Sequence, residues 1–167
     1  FRHRTFSTFP GRIFHSKRDF DGDEALKAYL IGFRLGDLTV TPSSRGPYSQ
    51  TIEVHGRTTR PEQIALFKRL FAKYGHYHQS GPDRSGAVYL TCYLNRSFEF
   101  LLPKQDSVEP WIRNNPRCAL AFVAGYVDAE GSFHITTAPH GLGKAVFALA
   151  SQDKHIVWWF YRWCRRV

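Results

Sequence analysis

The chain has 167 residues, of which 43% are apolar, 22% charged and 16% aromatic, a balance that supports one packed core and excludes disordered and fibrous classes. Its 23 Lys and Arg against 14 Asp and Glu give a formal charge of +9, which favours polyanionic partners, nucleic acid first among them. No apolar run reaches membrane-spanning length, and the three scattered cysteines form no CxxC pair, which argues against a disulfide framework or zinc site and for a reducing compartment, cytoplasmic or an organellar matrix, rather than secretion.

In chain order, residues 1–22 are basic and aromatic without a clear period; Arg2, Arg4, Arg12, Lys17 and Arg18 are candidate phosphate contacts, unless the stretch is a leader or the remnant of an upstream segment. The opening on Phe1 and the lack of any Met read as a fragment or a trimmed translation. Asp23 and Glu24 suit the positive end of a helix dipole and open a helix over residues 25–37. Its apolar residues Leu26, Tyr29, Leu30, Phe33 and Leu35 cover most of the circumference, so burial on more than one side is expected. Alternation predicts strands at residues 38–41 and 48–55, with a loop at 42–47 between them. Thr59-Arg60-Pro61-Glu62 has capping-box spacing and opens an amphipathic helix running to about Tyr74, with Leu66, Phe67, Leu70 and Phe71 as its stripe. Strands near residues 76–80 and 87–95 follow, joined by a Gly-Pro loop; Ser97 caps a short helix over 98–102, and 103–117 is a linker around Trp111. His76 and His78 read as surface or groove residues, not metal ligands.

The programme then restarts: an almost wholly apolar helix over residues 119–132, strands at 133–137 and 144–150, and a helix from about Asp153 with Ile156, Val157, Phe160 and Trp163 on one stripe. The division is a basic segment 1–22, a first repeat 23–102, a linker 103–117 and a second, incomplete repeat 118–167. An exposed sheet edge and an uncovered stripe including Trp159 and Trp163 are expected, with weak stability for the 167 residues alone. Gly32 aligns with Gly125 and Asp37 with Glu130, at the same offset of 93 residues.

Each repeat-opening helix carries an interior Gly, costing about 1 kcal/mol relative to Ala. Four residues on sits another small residue, giving Gly32 with Gly36 and Gly125 with Ala129. Such pairs flatten a helix face and permit close backbone approach; the natural partner of one helix is its copy. That pairing would bring Asp37 and Glu130 together at two negative dipole ends, where they repel. A divalent cation resolves the repulsion, and carboxylate and water ligands suit Mg²⁺ or Mn²⁺ rather than zinc. Two such ions beside a phosphodiester can activate water and stabilise the leaving oxygen.

Residues 30–38 (LIGFRLGDL) and 123–131 (VAGYVDAEG) both resemble the LAGLIDADG motif of homing endonucleases, with the resemblance extending over residues 24–167. The first copy departs from the motif at Arg34, Leu35 and Leu38 but keeps its acid, Asp37. The resemblance implies an α+β fold of pseudo-twofold αββαββα repeats, motif helices paired at the centre, and antiparallel sheets forming a saddle on the major groove of double-stranded DNA. It implies a single chain acting as an internal pseudo-dimer once the second repeat is complete, with Asp37 and Glu130 as metal-binding catalytic acids. It further suggests Gln152, near the start of the second repeat's second helix, beside a catalytic water, and Lys104 near the cleft. Gly56 or its neighbours would hold the corresponding place of Gln152 in the first repeat.

Base readout would fall to the polar phase of the strands: Thr39, Thr41, Ser49, Thr51, Glu53, Tyr89, Thr91, Tyr93, His134 and Thr136. Arg45, Arg57, Arg60 and Arg84 read as loop residues suited to phosphate. Alternatives to a DNA endonuclease are an intron RNA-splicing maturase and a catalytically silent DNA-binding protein of the same fold. No splicing-type Cys or His-Asn ending marks an intein.

Overall fold

The structure is a computed structural model that describes residues 16–43, 49–137, 141 and 143–165. Helix α1 (Glu24–Asp37) starts where its acids predict, with the Asp23 carboxylate at the N-cap accepting the Leu26 N–H at 2.9 Å. Strands β1 (Thr39–Pro42) and β2 (Ile52–Thr58), helix α2 (Pro61–Phe71), and strands β3 (His76–Gln79) and β4 (Val88–Leu94) follow. The four strands form one antiparallel sheet in the order β1-β2-β4-β3. Val40, Ile52, Val54, Leu90, Cys92 and Leu94 face one core with Phe33 and Leu35 of α1 and Phe67 and Phe71 of α2. The alternating polar residues are left on the opposite face of the sheet.

Several predicted boundaries move. Strand β2 begins at Ile52 rather than residue 48 and continues to Thr58, because its ladder with β4 runs from Ile52–Leu94 to Thr58–Val88. The capping box at Thr59 is therefore not formed: Arg60 stands at the N-cap without a side-chain bond, and the Thr58 hydroxyl accepts the Arg60 N–H at 3.0 Å. Helix α2 ends at Phe71, short of Tyr74. A 3-10 helix spans Arg96–Leu101, capped by Asn95, which accepts the Ser97 N–H, rather than by Ser97.

Residues 16–22 pack onto this repeat. The Arg18 N–H donates to the Tyr74 carbonyl at 2.8 Å, and the Phe20 ring meets those of Tyr74, Phe98 and Phe100. The stretch read as a linker contains a short helix, α3 (Pro110–Arg113). Helix α4 (Pro116–Glu130) starts three residues before the expected 119, because Pro116 fills its first position and Asn115 accepts the N–H groups of Arg117 and Cys118. Strands β5 (Gly131–Thr137) and β6 (Gly143–Leu149) pair antiparallel as a separate two-stranded sheet, and helix α5 (Lys154–Cys164) follows.

The second sheet is thinly covered. Phe133 and Ile135, on one face of β5, are each 77% exposed. The expected uncovered stripe is corrected in detail: Trp159 packs edge-on against Phe122 at 5.8 Å, and the openly exposed aromatics of α5 are Trp158 and Tyr161. No helix among the described residues is long and apolar enough to cross a membrane.

Candidate functional site

Helices α1 and α4 are the two elements in broadest contact, and their small residues explain how closely they lie. A Cβ added at Gly32 would stand 2.2 Å from the Phe122 carbonyl oxygen, and one at Gly125 would stand 2.0 Å from that of Tyr29. Each glycine is thus pressed against the backbone of the other helix. One turn on, a Cβ at Gly36 would meet the Ala129 methyl at 2.4 Å and Glu130 Cγ at 2.8 Å. All four residues expected at the helix interface, Gly32, Gly36, Gly125 and Ala129, therefore lie in it. Polar clamps add register: Tyr29 donates its hydroxyl proton to Asp128 at 2.6 Å, and Arg117 pairs with Asp23 at 2.6 Å.

This packing carries Asp37 and Glu130 to the same end of the helix pair, with the Glu130 side chain lying against Gly36. Burial raises the Glu130 carboxyl above the usual carboxylate range, and the negative charges of Asp37 and Asp153 raise it further, against a lowering by Lys104. Asp37 is also raised, by desolvation beside a pocket with apolar walls from Phe33, Leu38, Phe67 and Leu90; a hydrogen bond from Gln63 and the charge of Arg60 act the other way. The Gln63 amide donates to Asp37 Oδ2 at 2.7 Å while its carbonyl accepts the Thr58 hydroxyl. Neither Gln63 nor Asp153 was singled out for the site by sequence. Gln63 lies in the first turn of α2, and the signal that could have found it was its place two residues after Pro61. The corresponding place read near Gly56 is corrected: Gly56 lies within β2, and α2 begins at Pro61.

Glu130 lines an open pocket with Leu35, Lys104 and residues 150–153. Lys104 and Gln152 thus flank Glu130, although Gln152 is two residues before α5 and does not occupy the α2 position of Gln63. Behind them, the Tyr126 hydroxyl donates to Ser151 Oγ at 2.7 Å and lies 3.1 Å from Asp153. Among the described residues no cluster of three or more His, Cys, Asp or Glu side chains is arranged to hold a metal ion. A cation here would be held by two carboxylates and water, a hard-oxygen set that fits Mg²⁺ or Mn²⁺.

Beside the acids, the solvent face of the first sheet is arranged in rows. Thr39, His55, Thr91 and His78 are register partners across all four strands, and so are Thr41, Glu53, Tyr93 and His76. Tyr89 stands opposite Arg57 on the same face. Thr39, Thr41, Glu53, Tyr89, Thr91 and Tyr93 are therefore together as expected; His55 belongs with them, hydrogen-bonded to Thr91 at 3.2 Å. Ser49 and Thr51 precede β2 instead of lying on it, and Thr51 is bonded to the Lys17 ammonium. Arg57 is a strand residue, not a loop residue: it donates to Asp83 at 2.7 Å and Ser85 at 2.8 Å and lies over the Tyr89 ring. Arg60 and Arg84 are exposed, and Arg45 lies outside the described residues. His134 and Thr136 lie on the other sheet, opposite Val146 and Lys144.

No family model matches the sequence, and no curated protein matches it. Among solved structures the chain is similar to the homing endonuclease I-WcaI bound to its DNA recognition sequence, at 16% identity and a TM-score of 0.43, over 65% of this chain and 52% of that one. It spans about half the length of that protein. It is similar also to I-DmoI in complex with DNA and Mn, at 17% identity and a TM-score of 0.44, over 81% of this chain and 94% of the other.

Proposed function

We propose that this chain acts as a site-specific double-stranded DNA endonuclease of the LAGLIDADG type, hydrolysing phosphodiester bonds with a divalent cation held between its two repeats. The observation that carries the reading is the mutual backbone contact at Gly32 and Gly125, which delivers Asp37 and Glu130 to one end of the α1–α4 pair. Leaving two desolvated, mutually repelling carboxylates together costs stability, and a bound cation removes that cost. The positive net charge and the polar rows of the first sheet supply a surface for duplex DNA.

In the reaction, a divalent cation would supply charge to offset that on the scissile phosphate and lower the pKa of water beside it. The chain's own groups do the rest. Asp37 and Glu130 would hold the cation, and the Gln63 amide, bonded to Oδ2, restrains the rotamer of Asp37. Lys104, whose charge is felt at Glu130, would offset negative charge developing on the scissile phosphate. Gln152, in the Glu130 pocket, is available to orient an attacking water.

Supercoiled plasmid libraries carrying randomised inserts, incubated with the 167-residue chain and Mg²⁺ or Mn²⁺, test this. The expected result is metal-dependent cutting at a defined sequence that Asp37→Asn or Glu130→Gln lowers at least 100-fold, in line with the loss of a group that stabilises transition-state charge. Sequence-specific binding without cutting would favour the silent binder, and stimulation of intron splicing without cutting would favour the maturase; either would overturn the nuclease reading.

A further inference from the structure

Among the described residues Arg34 is the one charged side chain that is buried, at 5% exposure. It lies in the last turn of α1, three residues before Asp37, and no carboxylate among the described residues pairs with it. An Arg guanidinium stays protonated, so a full charge is held out of water. Its acceptors are two main-chain carbonyls: Nε donates to Leu101 at 2.8 Å and Nη1 to Leu38 at 2.9 Å. Leu38 is the residue after Asp37, and Leu101 ends the 3-10 helix three residues before Lys104.

The second copy shows that the helix pair itself does not need this charge. The repeat offset of 93 residues puts Val127 at the place of Arg34. There the residue matching Leu38 is Gly131, which is paired with Leu149 in the ladder of β5 and β6. A buried, uncompensated charge is expensive and an apolar side chain serves at the equivalent position, so the cost is matched by something specific to the first copy. What is specific is that the fork ties together the two chain segments bearing Asp37 and Lys104.

We infer that Arg34 is a positioning residue, whose buried guanidinium bolts the Asp37-bearing end of α1 to the segment that leads to Lys104 and so sets the placement of Asp37 for its cation. The inference rests on the nuclease reading of Asp37. A planar fork reaching two carbonyls at once is what Lys lacks, so Arg34→Lys retains charge and loses geometry.

The test uses the whole 167-residue chain in four forms: wild type, Arg34→Met, Arg34→Lys and, as a stability control remote from the acids, Leu94→Ala. Two quantities are followed: Tb³⁺ binding by aromatic-sensitised luminescence, which needs no turnover, and Mn²⁺-dependent nicking of a supercoiled plasmid. Arg34→Met is expected to raise the Tb³⁺ half-saturation and to slow nicking at saturating Mn²⁺, each about tenfold, as loss of groups that orient a metal ligand does, with plasmid affinity in a gel shift unchanged. Arg34→Lys is expected between wild type and Arg34→Met, and it carries the test should Arg34→Met not fold. Wild-type Tb³⁺ binding and nicking in both Arg34 variants, or equal losses in Leu94→Ala, would overturn the inference. Asp37→Asn run in parallel separates the two levels: if it too binds Tb³⁺ and nicks like wild type, the metal role of Asp37 fails, and the inference falls with it.

Discussion

Asp106 does for α5 what no local residue does. Its two oxygens accept the N–H groups of His155 and Ile156, each at 3.0 Å, from almost fifty residues away in sequence, while Asp153 at the N-cap makes no capping bond. Desolvation alone would raise the Asp106 carboxyl; the His155 and Ile156 amides, with the charge of His155 and the Lys154 amide, together outweigh it and hold the group below the usual carboxylate range. Since the folded value is depressed, this stabilisation is present above the unfolded value and is lost as pH falls through the folded one, that is, below about pH 4. Asp106→Ala should cost about 1 kcal/mol at pH 7. In thermal melts that is a fall of about 3 °C which shrinks below about pH 4; a loss that grows with acid would contradict the assignment. Asp37 and Glu130 were legible at this scale because a repeat doubles every signal. Gln63 was not, since its role depends on how far β2 runs before α2 begins, and alternation does not fix where a ladder stops.

At the scale of elements, the glycines of α1 and α4 carry two opposed effects whose sizes decide the outcome. Replacing a mid-helix Gly by Ala gains about 1 kcal/mol of helix propensity. At Gly125 the new methyl would lie 2.0 Å from the Tyr29 carbonyl, a main-chain atom that cannot swing aside. Forcing the helices apart costs roughly 1–3 kcal/mol or more, so the contact wins. Gly125→Ala should lower the melting temperature and move the two acids apart, whereas Gly81→Ala, which meets nothing within 4 Å, should not; a stabilised Gly125→Ala would refute the close approach. The small-residue spacing made this pairing readable in sequence, as alternation did for β4. The sequence did not show that Asn95 and Asn115 would take the caps, or that Arg57 would sit on a strand opposite Tyr89, because caps and strand ends are chosen by partners distant in the chain.

Over the whole molecule, the two repeats meet along one helix pair, and their outward parts differ. The first sheet has a buried face and a polar face; in the second, β5 is exposed from Ser132 to Thr137, so the first repeat carries most of the core. At one end of that helix pair the halves bring their two acids together. In metal-free protein both carboxyls are raised, so the charged pair costs stability above the unfolded pKa values and the cost fades as pH falls through the raised ones. The most direct test is a double-substitution cycle of Asp37→Asn and Glu130→Gln at pH 7, melted with and without Mn²⁺. Without metal, each single change should raise the melting temperature and the double change should add less than the sum, since either one removes the same repulsion; with Mn²⁺, wild type should gain stability that all three variants lack. Strict additivity without metal, with equal Mn²⁺ responses in all four proteins, would contradict a shared centre.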